Sequence, residues 1–568
     1  MKLSKPSPHP YKYSPWLVLL VVLTLLVPNV WLSITEQLTT IQAITNVVLP
    51  GGIYLLLMCI TPRVGRATLW MTILMIFAAF QMVLLYMYGR SVIAVDMYLN
   101  IVTTNPGEVT ELLGNIVVII AVVICLYIPP IVFGIIAVLR RWRLSPEELR
   151  GGRIVSGVII FIGVIFFVLS FFGQRRYAVL RDIYPLNVFY NMGVAVNRAT
   201  DLTHYHETSA DYRYDAVSTV PDSVNQVIVL VIGETSRADN WQLLGYERPT
   251  TPRLMNRKGL TSFAKALSQA NTTHKSVPML LSPLDATTFS DSINHVKSLV
   301  TAFKEAGFHT AYFSNQNRNH SYIDFFAEEA DTTVFLSDAK KVFESKSFDT
   351  ELLPLLDEKL AQNHSKLLVI LHCYGSHFNY IDRYPKGFGS FKPDGPAKAT
   401  HHYRNEQINA YDNTIELTSG FIADIIDHIE ATGKQASMLF TSDHGEDIFD
   451  DERRLFLHCS PIPSFYQIHV PVLVWLSDNY VDANPQVADV LKANSDKFVA
   501  STSTFFHTAM NLAGIESPKL DVNKSLISPT YTPDAAIVLN DHNEAIPLIE
   551  CGLLKYDFDE LRKKGFIE

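Results

Sequence analysis

The chain has 568 residues, about four times a typical single domain, so more than one folding unit is expected and a small disulfide-stapled module is excluded. Charged residues make up 18% and apolar residues 48%, with a mean hydropathy of +0.15, which excludes an intrinsically disordered chain and a wholly soluble, charge-covered enzyme. The 47 basic and 56 acidic residues give a net charge of −9, and no long basic run lies beside stacking aromatics, so nucleic acid is excluded as a partner.

Apolar segments gather in the first third. Trp16 to Ser33, Ile41 to Ile60, Thr68 to Tyr88, Asn115 to Leu139 and Ile154 to Phe172 each come near the roughly 20 residues that cross a bilayer. Five transmembrane helices are therefore predicted over residues 1–173. A cleaved signal peptide is the other reading of the first, but no small-residue cleavage site follows it and four more spans come after. Short loops rich in Lys and Arg stay in the cytoplasm, which orients the bundle. Lys2, Lys5 and Lys12 precede the first span, Arg63 and Arg66 lie between the second and third, and Arg140, Arg141, Arg143, Arg150 and Arg153 lie between the fourth and fifth. Arg90 is the only basic residue in the opposite loops. The amino terminus is placed inside and everything after Gly173 outside. Arg175 and Arg176 run against this rule, which a large following domain tolerates, and contact with lipid phosphate is the further reading for them. The outward loop Arg90 to Gly114, with Asp96, Asn100, Asn105 and Glu108, is a solvated loop with headgroup contact as the sharper reading.

Residues 174–220 interleave Tyr and Arg, as interfacial connector helices do. From residue 221 onward, apolar β-rich runs alternate with helical patterns. Val227 to Ile232, His309 to Phe313, Lys366 to Leu371, Ser437 to Thr441 and Pro471 to Leu476 read as buried strands. Ile408, Tyr411, Ile415, Ile422, Ile425, Ile426 and Ile429 recur at helical spacing and end at Gly433. This alternation predicts an α/β domain over 221–568, a sheet with helices on both faces.

Ligands of open α/β sheets bind beyond the carboxyl ends of the strands. Three strand ends carry suitable residues: Gly233-Glu234-Thr235, His372 followed by Gly375-Ser376-His377, and Ser442-Asp443-His444-Gly445-Glu446. Each alone has an ordinary explanation as a helix partner or a satisfied histidine. Together they predict a metal site, with the adjacent carboxylate and imidazole of Asp443 and His444 turned to one cation and Gly445 relaxing the backbone between them and Glu446. Oxygen and nitrogen donors without thiolate favour zinc, with manganese as the alternative.

Gly233-Glu234-Thr235-Ser236-Arg237-Ala238-Asp239-Asn240, Leu244-Gly245-Tyr246 and Thr250-Thr251-Pro252 together resemble the signature of bacterial phosphoethanolamine transferases that modify lipopolysaccharide. The resemblance continues through Ser276-Val277-Pro278, Gly375-Ser376-His377, Arg383-Tyr384-Pro385, Asn409 to Thr414, Ser442 to Glu446 and Leu457-His458. It implies a periplasmic domain of alkaline-phosphatase/sulfatase-like fold with a central mostly parallel sheet, anchored in the bacterial inner membrane. It further implies a metal held by Glu234, Asp443, His444 and a threonine nucleophile. Three residues before Ser276 that threonine is Thr273, with Thr235 and Thr272 as alternatives; an apolar helix starting near Thr273 suits a phosphoryl acceptor. By the same resemblance His377 and His458 stand beside the metal for proton transfer, phosphate binding or a second metal, and Asn315, Asn317 and His320 are candidate substrate contacts. His401, His402 and His469 match no role.

Many such transferases bracket the nucleophile with two cysteines, where this chain has Gln269 and Met279. Of the five cysteines, Cys59 and Cys125 lie in spans, and Cys373, Cys459 and Cys551 remain, with a Cys373–Cys459 bridge and free thiols both open. The implied reaction takes phosphoethanolamine from phosphatidylethanolamine, by way of Thr273, to lipid A or another glycolipid acceptor. Competing readings are a glycerophosphate transferase of the lipoteichoic-acid type, a membrane-anchored phospho- or sulfohydrolase, and a non-catalytic membrane sensor.

Overall fold

Five long helices occupy the five apolar runs: α1 (Ser14–Thr35), α2 (Thr40–Met58), α3 (Val64–Tyr88), α5 (Val117–Leu139) and α6 (Pro146–Ser170), all long and apolar enough to cross a membrane. The computed structural model describes residues 11–36, 38–88, 91–103, 117–172, 179–339, 347–396, 398 and 400–568. Lys2, Lys5, Arg90, Asn105, Glu108, Arg175 and Arg176 lie outside them. Thr39 and Ser145 begin α2 and α6 with reciprocal capping boxes to Gln42 and Glu148, and the box at Ser145 is why α6 starts several residues before its apolar run at Ile154. The segment expected to be an outward loop contains a helix, α4 (Val95–Thr103), with Asp96 in its first turn. Several polar residues inside the bundle are paired, although Thr72 Oγ1 and Tyr127 Oη are buried without a hydrogen-bond partner. Asn29 Nδ2 donates to the carbonyls of Asn46 and Tyr184, and Gln81 Nε2 to that of Ser91, each at 2.8 Å.

The chain forms two units, Met1–Asn197 and Arg198–Glu568, and the boundary falls within α7 (Leu186–Thr203). The second unit is built on seven strands: β1 (Gln226–Gly233), β2 (Leu260–Phe263), β3 (His309–Ser314), β4 (Thr332–Phe335), β5 (Lys366–His372), β6 (Gln435–Ser442) and β7 (Val472–Leu476). Their order across the sheet is β2-β7-β6-β1-β5-β3-β4. β1 lies parallel between β5 and β6, and β7 is antiparallel to both β6 and β2. The mostly parallel sheet expected from the sequence is present.

Side chains alternate across β1, so one strand feeds two cores. Ile228, Leu230 and Ile232 pack with Val277 of α8 (Thr273–Leu280) and with Phe506 and Met510 of α10 (Ser501–Leu512). Val227, Val229 and Val231 face Ile415, Ile422, Ile425 and Ile426 of α9 (Arg404–Glu430). Gly433, at φ +63°, turns the chain after α9 into β6.

Glu329 lies half-buried beside the first of these cores, accepting hydrogen bonds from the Ser298 backbone N–H (3.0 Å), Ser298 Oγ (2.6 Å) and Thr301 Oγ1 (2.8 Å). Burial nevertheless pushes its carboxyl up to about 7. The folded chain holds this proton more tightly than the unfolded chain, whose glutamates titrate near about 4.3. The stability this proton confers is therefore complete below about pH 4.3 and lost as pH rises through about 7. Glu329→Gln should flatten the decline of Tm across that window in thermal unfolding of the detergent-solubilised chain; an unchanged slope would show that Glu329 is not its source.

Candidate active site

β1 and β6 are neighbours at the centre of the sheet, so their carboxyl ends deliver Glu234 and Asp443 to one edge. Backbone bonds tie the loops there: Asp443 N–H donates to the Gly233 carbonyl at 3.0 Å, and Ser376 N–H to the Glu234 carbonyl at 2.9 Å. α9 latches them from one side. Tyr411 Oη accepts from Arg237 N–H (2.8 Å) and donates to the Thr235 carbonyl (2.7 Å), holding Thr235 in the left-handed region at φ +60°. Asp412 accepts from Asn240 Nδ2 and Tyr246 Oη, Asn413 Oδ1 from Phe391 N–H, and Thr414 Oγ1 donates to Ser376 Oγ. The Asn409-to-Thr414 motif is thus a scaffold for the site's loops.

Four polar side chains converge at this edge. Thr273 Oγ1 lies 3.3 Å from Glu234 Oε2 and 3.3 Å from His444 Nε2. His444 Nε2 lies 3.3 Å from Asp443 Oδ2 and 3.6 Å from Glu234 Oε1. A tetrahedral cation with ligand bonds near 2.0–2.1 Å has ligand-to-ligand edges of about 3.3 Å. Two further observations fit such an ion. Asp443 Oδ2 is buried without a hydrogen-bond partner. His444 Nδ1 lies 2.9 Å from the Gly445 carbonyl, which must be met by an N–H, so the lone pair is on Nε2. Burial, and then the Asp443 carboxylate, push the Glu234 carboxyl well above the usual range, and a divalent cation among these atoms offsets both effects. Glu234, Asp443 and His444 are buried, whereas Thr273, the first residue of α8, is half-buried and opens outward.

The glycine of Asp-His-Gly-Glu is required for a reason other than a relaxed backbone. A Cβ on Gly445 would lie 2.2 Å from the Tyr466 carbonyl, so what matters is the close approach of another chain segment. Gly375 combines φ +46° with a Cβ position 2.6 Å from the Glu234 carbonyl.

Two histidines stand at the rim. His458 Nδ1 lies 3.1 Å from Glu446 Oε1, and Glu446 Oε2 accepts from Tyr380 Oη at 2.6 Å. Burial pushes the Glu446 carboxyl up to about 8. Ligand atoms of Glu234, His444 and His458 all lie within 4.8 Å of one another, a looser grouping than the four side chains above. His377 Nδ1 is 2.7 Å from the Phe378 carbonyl, and its ring stacks on Tyr374 and faces that of His458 at 5.7 Å between centroids. Burial, followed by the neighbouring imidazole, holds both histidines well below their ordinary value.

The polar run after β3 is divided in its placement. Asn315 is buried, and its Nδ2 donates to Asp349 Oδ1 at 2.8 Å; Asp349 in turn receives the N–H groups of Tyr374 and Gly375 and so props the His377 loop. Asn317 and His320 are exposed, and among the described residues neither is hydrogen-bonded to the cluster of Thr273, Glu234, Asp443 and His444. Gln316, not singled out in the sequence, is the residue of this run that reaches it. Its Nε2 donates to Glu234 Oε2 (3.0 Å) and to the Cys373 carbonyl (2.9 Å). His469 is structural, its ring nitrogens 2.6 Å from Asp239 Oδ2 and 3.0 Å from the Ala264 carbonyl, and His401 and His402 are exposed. All five cysteines are thiols, with Cys373 buried. Where a cysteine was looked for, Gln269 Oε1 accepts from Thr502 Oγ1 and Ala286 N–H, both at 3.1 Å, and fastens the segment before α8 to α10.

A family model described as Sulfatase matches residues 226–515, which takes in every residue of this site. The chain belongs to the sulfatase family. Its curated relatives include a Kdo(2)-lipid A phosphoethanolamine 7''-transferase of Escherichia coli K12, 28% identical over 336 residues. That match covers 58% of this chain and 58% of the relative, so the chain spans under two thirds of that protein's length. Among solved structures, the integral membrane lipooligosaccharide phosphoethanolamine transferase A of Neisseria meningitidis superposes with a TM-score of 0.72 at 22% identity, covering 92% of this chain and 99% of that one. The C-terminal periplasmic domain of EptC from Escherichia coli, in complex with Zn, gives 0.53 at 23% identity over 59% of this chain and 96% of that one. These likenesses show the fold of this sulfatase-family chain, membrane helices included.

Proposed function

We propose that the chain is a metal-dependent phosphoethanolamine transferase, moving the headgroup of phosphatidylethanolamine by way of Thr273 to lipid A or another glycolipid. The observation that carries this reading is the convergence of Thr273 Oγ1, Glu234, Asp443 and His444 on one point, with only the threonine open to an incoming molecule. The names of the relatives supply the substrate class. Zinc is the cation favoured by this donor set and by the Zn complex of the EptC domain, and when bound it lowers the pKa of the threonine hydroxyl and screens phosphate charge.

Thr273 oxygen attacks phosphorus, a new P–O bond forms, the bond to the diacylglycerol oxygen breaks, and diacylglycerol leaves with the proton that began on Thr273. The amino-terminal end of α8 favours the negative charge then carried on Thr273. In the second step an acceptor oxygen attacks the same phosphorus, and its proton returns to Thr273. His458, held through Nδ1 by Glu446, and His377 are neutral near pH 7 and carry these protons at the rim. The five spans keep the domain at a membrane that holds donor and acceptor at high effective concentration. On this reading the chain lies in the inner membrane with its catalytic domain in the periplasm.

Mass spectrometry of lipid A and core oligosaccharide from cells with and without the gene tests the reading. A phosphoethanolamine increment that depends on the protein is expected. A glycerophosphate increment, or free phosphoethanolamine with unmodified glycolipid, would overturn it. Gln316→Leu should weaken zinc retention by about 10- to 100-fold in competition with a chelator, because the side chain that orients Glu234 is lost. Unchanged retention would assign Gln316 to the loop alone.

A further inference from the structure

One end of the membrane unit collects cations without carboxylates to match. Arg63, Arg66, Arg140, Arg141, Arg143 and Arg150 flank the α2–α3 and α5–α6 connections, and among the described residues none of these six side chains makes a hydrogen bond or ion pair. Arg153 is different, donating to the carbonyls of Cys59 and Ile60 at the end of α2. Of the two acids nearby, Glu148 is committed to the start of α6, where its Oε2 accepts from Ser145 N–H at 2.7 Å.

From this end a groove of about 780 Å³ runs between α1, α2 and α6. Leu19, Val22 and Leu26 line it from α1, and Val48, Gly51 and Leu55 from α2. Glycines shape it. Gly52 lets α2 press on α6, where a Cβ would lie 2.9 Å from Ile160 N, whereas a Cβ on Gly51 meets nothing nearer than Leu26 at 3.4 Å and leaves the floor open. From Pro15 to Leu26 the groove follows α1 for about 16 Å at about 1.5 Å per residue. That is close to one leaflet, half of the roughly 30 Å hydrocarbon core. Tyr13 and Trp142, whose rings are 5.3 Å apart, each lie two residues before a groove residue, Pro15 and Leu144, as interfacial aromatics do.

We propose that the groove holds one acyl chain of an anionic phospholipid from the leaflet at the arginine end, with the headgroup phosphate on those arginines. The length matches one leaflet, the walls are apolar apart from Glu148, whose carboxylate is held by Ser145 N–H, and with six arginines around it the charge surplus at the mouth is positive. The site stands apart from the transfer reaction and does not depend on it.

The full chain, delipidated in detergent, is titrated with phosphatidylglycerol or phosphatidylcholine and read by native mass spectrometry. One phosphatidylglycerol per chain is expected, retained at least about tenfold more tightly than phosphatidylcholine. Leu19→Trp and Gly51→Leu, which fill the groove, should each lower retention by about tenfold, while Ile73→Trp, on an exposed face of α3, should not. Equal retention of the two lipids by the unaltered chain overturns the proposal, whatever the variants do. So does full retention in Leu19→Trp and Gly51→Leu.

Discussion

Thr273→Ala should abolish headgroup transfer, lowering the rate by about 10³-fold or more, with the fold intact. The position argues for a loss of chemistry alone. Thr273 is half-buried at the first turn of α8, where alanine is a good helix former, and Thr272 provides the N-cap backbone. The core contacts of α8 come from Val277, Met279 and Leu280, which the substitution leaves in place. Three of the four converging donors also remain, so zinc should be weakened but not lost. Thr273→Ser keeps the oxygen and should stay within about tenfold of the unaltered chain. Transfer from labelled phosphatidylethanolamine to purified lipid A gives the rate, and mass spectrometry of the peptide carrying residue 273 gives the adduct. The adduct should form with donor alone in the unaltered chain and be missing in Thr273→Ala. Transfer that survives in Thr273→Ala would remove Thr273 as the carrier and return attention to Thr235, whose Oγ1 is 2.7 Å from Glu234 Oε1.

Most of the architecture was legible because burial on two faces leaves a strong mark. β1, β5 and β6 are continuous apolar runs, since both faces are covered, and their ends were readable to within two residues. β2 and β4 were not anticipated. Each has four residues, three of them only half-buried, at or near an edge of the sheet, so neither forms an apolar run that stands out from a loop. Glu234, Asp443 and His444 announced themselves by following such runs directly. Gln316 did not, although it stood in a polar run already noticed, because nothing in sequence tells which of six neighbouring polar side chains turns inward. Asn315 illustrates the converse: its polar type suggested a ligand contact, and its actual partner is Asp349, which has no sequence signature of its own. The Asn409-to-Thr414 motif is equally telling. Its residues hold Thr235, Asn240, Ser376 and Phe391 in place across more than a hundred residues of sequence separation in the longest cases, so a motif can mark scaffolding as readily as chemistry.

Asp443→Asn should remove the metal more completely than its small change in shape suggests. The Oδ1 atom accepts from Thr235 N–H at 3.0 Å and from His444 N–H at 2.7 Å, so an asparagine must keep its carbonyl oxygen there. Its NH₂ is then forced into the place of Oδ2, the buried atom that otherwise has no partner, and points two N–H donors at the cation. Zinc affinity should fall by about 10³-fold or more, with transfer activity lost in parallel. Stability should move the other way in the metal-free protein. The Asp443 carboxylate is one of the causes that raise the Glu234 carboxyl, and a neutral amide removes that repulsion. With chelator present, Asp443→Asn should therefore melt at or above the unaltered chain. With excess zinc the order should reverse, because only the unaltered chain gains the stabilisation of a ligand bound to the folded state. Zinc content per chain and paired melting curves with and without chelator separate these effects. An Asp443→Asn protein that still gains Tm from zinc would mean that the cation is not held at Oδ2.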